Sequence, residues 1–250
     1  MALAAGGCKE AAARRYEQRL EGWAERLRVE PASETRRLAR NVLELLHHEV
    51  LRQYRSDADR LHETFESGAY NCVTSAVLYV CLCRRLGIAA AARQWREHVA
   101  CVVFADGEAI TVEPTSPRWL ASEHPLPADA AAPQGRPTDA ASGEQGSWRP
   151  LSSRGLAAAV YYNMGSRALL NGQYAAALQA NHTALVLDPY NEAAGRNLLA
   201  SINNWAVSEA QAGRPDAAER LLRLGLNVAP EHHAFRQNLA LLAGQHMAAP

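Results

Sequence analysis

The stretch from Glu66 to Gly87, ESGAYNCVTSAVLYVCLCRRLG, decides how this chain is read. It opens on a glycine-containing loop and then runs from Cys72 to Leu86 with apolar residues on nearly every side. Such a run suits a helix buried at the centre of a domain, and Gly87 is placed to end it. Cys72 therefore stands where a loop becomes a helix. A thiol there sits in the positive end of the helix dipole, which favours the thiolate and primes the sulfur as a nucleophile.

Downstream, Val99–Phe104 and Ala109–Val112 are β-prone runs separated by Asp106-Gly107, a hairpin signal. A helix followed by an antiparallel sheet predicts an α+β unit. His98 falls at the start of the first strand, in Arg96-Glu97-His98-Val99-Ala100, from where an imidazole can point toward the helix start. It would act as base and then as acid. Glu113 follows the second strand, in Val112-Glu113-Pro114-Thr115, and its carboxylate would accept the other ring N–H and fix the tautomer.

Upstream, residues 9–28 and 34–55 carry apolar side chains at helical spacing, including Leu38, Val42, Leu45, Leu46 and Val50, and read as two helices separated at Pro31. With the helix and sheet they make a first domain of residues 9–120. Residues 121–155 are rich in Pro, Ala, Gly and Ser without periodicity and read as a linker. From residue 156 to 250 the helical pattern returns and repeats: Gly172, Ala177 and Pro189 are matched 41 residues later by Gly213, Ala218 and Pro230.

Composition sets outer limits. A 48% hydrophobic share over 250 residues fills a core, and 26 basic against 26 acidic residues leave no global field toward nucleic acid or anionic lipid. No stretch approaches the roughly 18–20 apolar residues that span a bilayer. The five cysteines, Cys8, Cys72, Cys81, Cys83 and Cys101, show no paired spacing, so free thiols are expected, with no disulfide framework and no metal site. Residues 1–8, MALAAGGC, read as a frayed terminus in a cytoplasmic protein. The alternative is the remnant of a signal preceding a lipoprotein anchored at Cys8 in the periplasm.

The C-terminal region resembles the tetratricopeptide repeat: Tyr161, Met164, Gly165, Gly172, Tyr174, Ala177, Ala184 and Pro189 fit the family pattern. The second copy has Ala206 where the first has Gly165, and its seven extra residues are expected to lengthen a helix from Glu192 to Ala212. The resemblance implies a protein or peptide ligand in a groove lined by Tyr162, Ser166, Asn203 and Val207. Two repeats and a terminal helix from His233 to Met247 are few for an independent array, which implies packing on the first domain or self-association.

Residues 57–118 resemble the transglutaminase-like, papain-like cysteine core, bacterial type. The likeness rests on a helix-capping Cys72, on His98 after 26 residues, on Glu113 after 15 more before Pro-Thr, and on Leu86-Gly87-Ile88 closing the helix. The chain departs from the family in having Glu113 for the commoner Asp and Ala100 for a Trp. What the resemblance implies is attack of Cys72 on a carboxamide, an oxyanion near the Cys72 N–H, and a thioester passed to water or to an amine, with no cofactor. Hydrolysis and transamidation remain open, as does an inactive scaffold that only binds proteins. Cys81 and Cys83 point about 200° apart on a helix and do not pair. His47-His48 and His232-His233 read as solvated residues, and Trp95, Trp119, Trp148 and Trp205 as packing anchors.

Overall fold

A computed structural model describes residues 8–28, 34–95, 98–118 and 149–247. The chain divides into two compact units, Met1–Val160 and Tyr161–Pro250. The expected linker from 121 to 148, Trp119, Trp148 and the apolar run of residues 1–7 lie outside the described residues.

In the first unit, helices α1 (Glu10–Arg28) and α2 (Thr35–Glu49) each turn one apolar face inward, with Leu20, Trp23, Leu27, Val42, Leu43 and Leu46 buried. The helix expected to reach residue 55 stops at Glu49. The reason is a competing partner: the N–H groups of Arg52 and Gln53 donate to the Gly68 carbonyl at 2.9 and 3.1 Å, and that of Arg55 to the Tyr70 carbonyl at 2.8 Å. Strand β1 (Gln53–Tyr54) thereby runs parallel to β2 (Ala69–Tyr70), with Tyr54 opposite Tyr70. Between them α3 (Leu61–Ser67) ends at Gly68, whose φ of +79° favours a residue without Cβ.

Helix α4 (Cys72–Arg85) is the centre of this unit; residues 72–80, Leu82 and Cys83 are buried, and the Tyr79 hydroxyl donates to the Ala39 carbonyl at 3.1 Å. It packs on an antiparallel sheet formed by β3 (Ala90–Trp95), β4 (His98–Ala105), β5 (Glu108–Val112) and β6 (Arg149–Leu151), in the order β5-β4-β3-β6. Asp106 and Gly107 turn the β4–β5 hairpin in left-handed conformations, φ 55° and 80°, the pair that a two-residue turn between twisted strands demands. Strand β6 corrects the expected linker, which was drawn to residue 155. Leu151 is buried and pairs with Ala92, and Pro150 is tolerated because β6 lies at the sheet edge.

Helix α5 (Ser153–Leu170) runs from the first unit into the second, which continues as α6 (Tyr174–Leu187), α7 (Glu192–Gln211), α8 (Pro215–Val228) and α9 (His233–Met247). The 41-residue offset appears as two like turns, at Gly172 and Gly213, between successive helices. Close approach explains the small residues. A Cβ on Gly165 would lie 2.5 Å from the Asn181 side chain, and one on Gly225 would lie 2.6 Å from the buried Phe235 ring. Ile202, Ala206, Ala218, Leu222, Phe235 and Leu242 form the core of the second copy.

Candidate active site

Cys72 is the first residue of α4, and the chain before it is fixed by a reciprocal cap. The Asn71 side-chain oxygen accepts from the N–H groups of Val73 and Thr74 at 3.0 and 2.9 Å, while the Asn71 N–H donates to Thr74 Oγ1 at 2.9 Å. This cap stabilises the helix start and sets where its dipole begins.

His98 opens β4, and the register Cys101↔Val112 carries β5 onward so that Glu113 follows on the same sheet face as His98. The His98 Nε2–H donates to Glu113 Oε2 at 2.6 Å. Cys72 is the second partner of the ring, and its hydrogen bond is the leading influence on it. The Cys72 contact first, then the Glu113 hydrogen bond and the charges of both, push the His98 pKa up to about 10 against the opposing effect of burial. An imidazole so placed is an imidazolium at neutral pH. Burial acts to raise the Glu113 carboxyl, but bonds from His98 and Thr115 outweigh it and hold the pKa below its ordinary value. The structure thus brings Cys72, His98 and Glu113 together.

Further residues support the acid. Thr115 donates to Glu113 Oε1 from both its hydroxyl, at 2.5 Å, and its N–H, at 3.2 Å. The Tyr70 hydroxyl donates to the Thr115 carbonyl at 3.1 Å, and the His47 Nε2–H donates to the Pro114 carbonyl at 3.0 Å. His47 was expected to be solvated; it is half-buried, and burial lowers its pKa, which keeps it neutral. The pairing of Glu113 with Thr115 two residues on was visible in the sequence, but its use as a support was not. The Tyr70 and His47 contacts span 45 and 67 residues, which no local pattern reports.

Burial pushes Cys83 up to about 12 and raises Cys101 well above its ordinary value. Trp95, opposite His98 in the register, is 38% exposed rather than a packing anchor, and Trp205 is half-buried with its N–H donating to Glu209 at 3.2 Å. His232 is half-buried against the Phe235 ring, centroids 4.3 Å apart, and not a solvated turn residue.

In the second unit Tyr162, Ser166, Asn203 and Val207 are half-buried. Ser166 accepts from Asn197 Nδ2 at 3.0 Å, and Asn203 accepts from Asn238 Nδ2 at 2.8 Å. Asn197 and Asn238 are 41 residues apart, so equivalent asparagines tie successive copies. Among the described residues no three His, Cys, Asp or Glu side chains form a metal-binding group, and no helix is long and apolar enough to cross a membrane. Compared with known proteins, the chain matches no family model, no curated protein and no solved structure.

Proposed function

We propose that the first unit is a transglutaminase-like cysteine acyl-transfer domain and that the second is a tetratricopeptide module that binds a protein or peptide ligand. The observation that carries this reading is His98 held between Cys72, the first residue of α4, and a supported Glu113. Imidazolium beside the sulfur favours the thiolate, which adds to a carboxamide carbon and pushes the carbonyl pair onto oxygen. His98 then gives its proton to the departing amine, and a thioester remains on Cys72. Water or a second amine, deprotonated by His98, releases the acyl group. Glu113 keeps the ring oriented and compensates its charge throughout. Thr115, Tyr70 and His47 act through Glu113 as positioning residues.

The test is selective alkylation of the full chain. Iodoacetamide at pH 6 is expected to label Cys72 before Cys81, Cys83, Cys101 and Cys8, as read by peptide mass spectrometry, because only a thiolate reacts fast at that pH. His98→Ala is expected to slow labelling about tenfold or more, and Glu113→Gln to slow it less. Equal rates at Cys72 and Cys8, unchanged by His98→Ala, would leave the interaction-scaffold reading in its place.

A further inference from the structure

The two-stranded sheet ends at β1, whose Gln53 and Tyr54 are both exposed. The N–H groups of Gln53 and Arg55 point inward, to the carbonyls of Gly68 and Tyr70. Alternate residues of a strand turn their N–H and C=O groups to opposite edges, so those of Tyr54 point outward. Among the described residues nothing bonds to them. An open edge of this kind is a template on which an extended peptide can add as a further strand.

The register fixes what an added strand would meet. Tyr54 stands opposite Tyr70, which puts Arg52 level with Gly68 on the same face. Both pairs touch: a Cβ on Gly68 would lie 2.9 Å from the Cβ, Cγ and Cδ of Arg52, and the Tyr54 and Tyr70 rings meet edge to face, centroids 5.8 Å apart. Two residues beyond Tyr54 the chain draws level with the start of α4, where the Ser56 carbonyl lies 3.5 Å from the Asn71 amide. Arg52, Tyr54 and the nucleophile are therefore spaced along one line, about 7 Å per step. The charge on this line is positive. Arg52 is exposed, and among the described residues its guanidinium has no ion pair. The accessible acids of the following loop and of α3 are engaged, Asp57 by Arg55 at 2.7 Å, Glu63 by Arg60 at 3.4 Å and Glu66 by the Tyr16 hydroxyl at 2.6 Å. A carboxylate on an adjoining strand would complete the row.

Resting on the acyl-transfer reading, we infer that the acyl donor is an extended acidic peptide that adds to the open edge of β1, its backbone paired with the N–H and C=O of Tyr54 and a carboxylate meeting Arg52. The register sets the pattern: an apolar residue against the Tyr54 ring stands two positions, and the acid four positions, from the residue whose carboxamide reaches Cys72.

The probes are end-blocked, fluorescein-labelled peptides, Glu-Ala-Leu-Ala-Gln and Gln-Ala-Leu-Ala-Glu, one for each strand direction, with counterparts carrying Ala or Lys in place of Glu. Binding is read by fluorescence anisotropy on full-length Cys72→Ala, and ammonia release on the wild-type chain. One order is expected to bind about three- to fivefold tighter than its alanine counterpart, the size of an exposed ion pair, and to release ammonia with kcat/KM raised in proportion. Arg52→Lys is expected to keep the preference and Arg52→Glu to reverse it in favour of the lysine peptide, which a merely structural role for the Arg52 stem would not do. Methylating the peptide nitrogens one at a time is expected to weaken binding where the N–H faces Tyr54 and to spare the neighbouring positions. A preference absent in both orders, or unmoved by Arg52→Glu, overturns the proposal, as does equal tolerance of methylation at every nitrogen. Ammonia released at equal rates from all peptides overturns the docking alone and leaves the acyl-transfer reading standing. Acid-dependent binding without ammonia release overturns that reading and the peptide's part as acyl donor.

Discussion

The hydrogen bonds on His98 translate into a titration that can be followed directly. A free imidazole titrates near 6.5, and Cys72 and Glu113 push this one up to about 10. At about 1.4 kcal/mol per pKa unit the whole rise is roughly 5 kcal/mol. With the His98 and Glu113 side chains 39% and 31% exposed, solvent screening reduces what reaches folding stability to about 1–2 kcal/mol. The direction in pH follows from which state holds the proton. Because the folded value is raised, the His98 contribution is fully present below about pH 6.5 and is lost as pH rises through about 10. Because the Glu113 value is lowered from 4.5, its contribution is present above that pH and is lost as pH falls through the folded value. The pair stabilises the first unit most between about pH 4.5 and 6.5.

Nitrogen-15 NMR of the imidazoles from pH 4 to 11 reads the first quantity, and thermal unfolding over the same range reads the second. Cys72→Ala is expected to lower the His98 titration more than Glu113→Gln, because the cysteine contact is the larger of the two influences. Glu113→Gln is expected to lower Tm by a few degrees at pH 6, with the difference shrinking toward pH 10. A wild-type His98 that titrates near 6.5, or one indifferent to Cys72→Ala, refutes the thiolate–imidazolium pair.

Thr115→Val keeps the shape of the side chain but removes the hydroxyl on Glu113 Oε1. A hydrogen bond to a charged group is worth about 1.5–3 kcal/mol, less at this half-buried carboxylate, and Cys72 alkylation at pH 6 is expected to slow several-fold, with Thr115→Ser restoring it; unchanged rates in both would show that the carboxylate needs no such support. Gly225→Ala sets a Cβ 2.6 Å from a fully buried Phe235 ring and is expected to cost about 1–3 kcal/mol of stability in chemical denaturation, while Cys72 labelling stays at its wild-type rate.

The parts of the molecule legible in the sequence are those whose signals are local. The buried helix after Cys72, the Asp106-Gly107 hairpin, the helix from Glu192 and the terminal helix from His233 all follow from periodicity and turn chemistry over a few residues. Strand β3, running AAARQW, escaped because alanines carry little β propensity and its identity comes from two flanking strands. The two-residue strands β1 and β2 have no pattern at all; they exist because Gly68 and Tyr70 offer carbonyls to a passing segment. β6 was hidden inside a proline-rich stretch in which Leu151 is the buried residue and the sheet edge forgives Pro150. The chemical residues Cys72, His98 and Glu113 stood out because each lies at the end of a predictable element. His47 and Tyr70 did not, because their placement depends on the parallel pair and the helix that the pattern had run together.

That contrast explains how the long Glu113 side chain is held in place. Both Glu113 oxygens are engaged, Oε2 by His98 and Oε1 by Thr115. A longer carboxylate has one more rotatable bond to immobilise, and the Thr115 contacts help to fix it. The loop is in turn tied to α2 by His47 and to β2 by Tyr70, so the orientation of the imidazole is determined by three elements distant in sequence. Cys72 is fixed separately, by a cap local to residues 71–74. The placement of Cys72 therefore depends on short-range chemistry and that of His98 and Glu113 on long-range packing. On this basis changes at Asn71 act on the helix start, whereas changes at Tyr70 or His47 act on the acid and through it on His98.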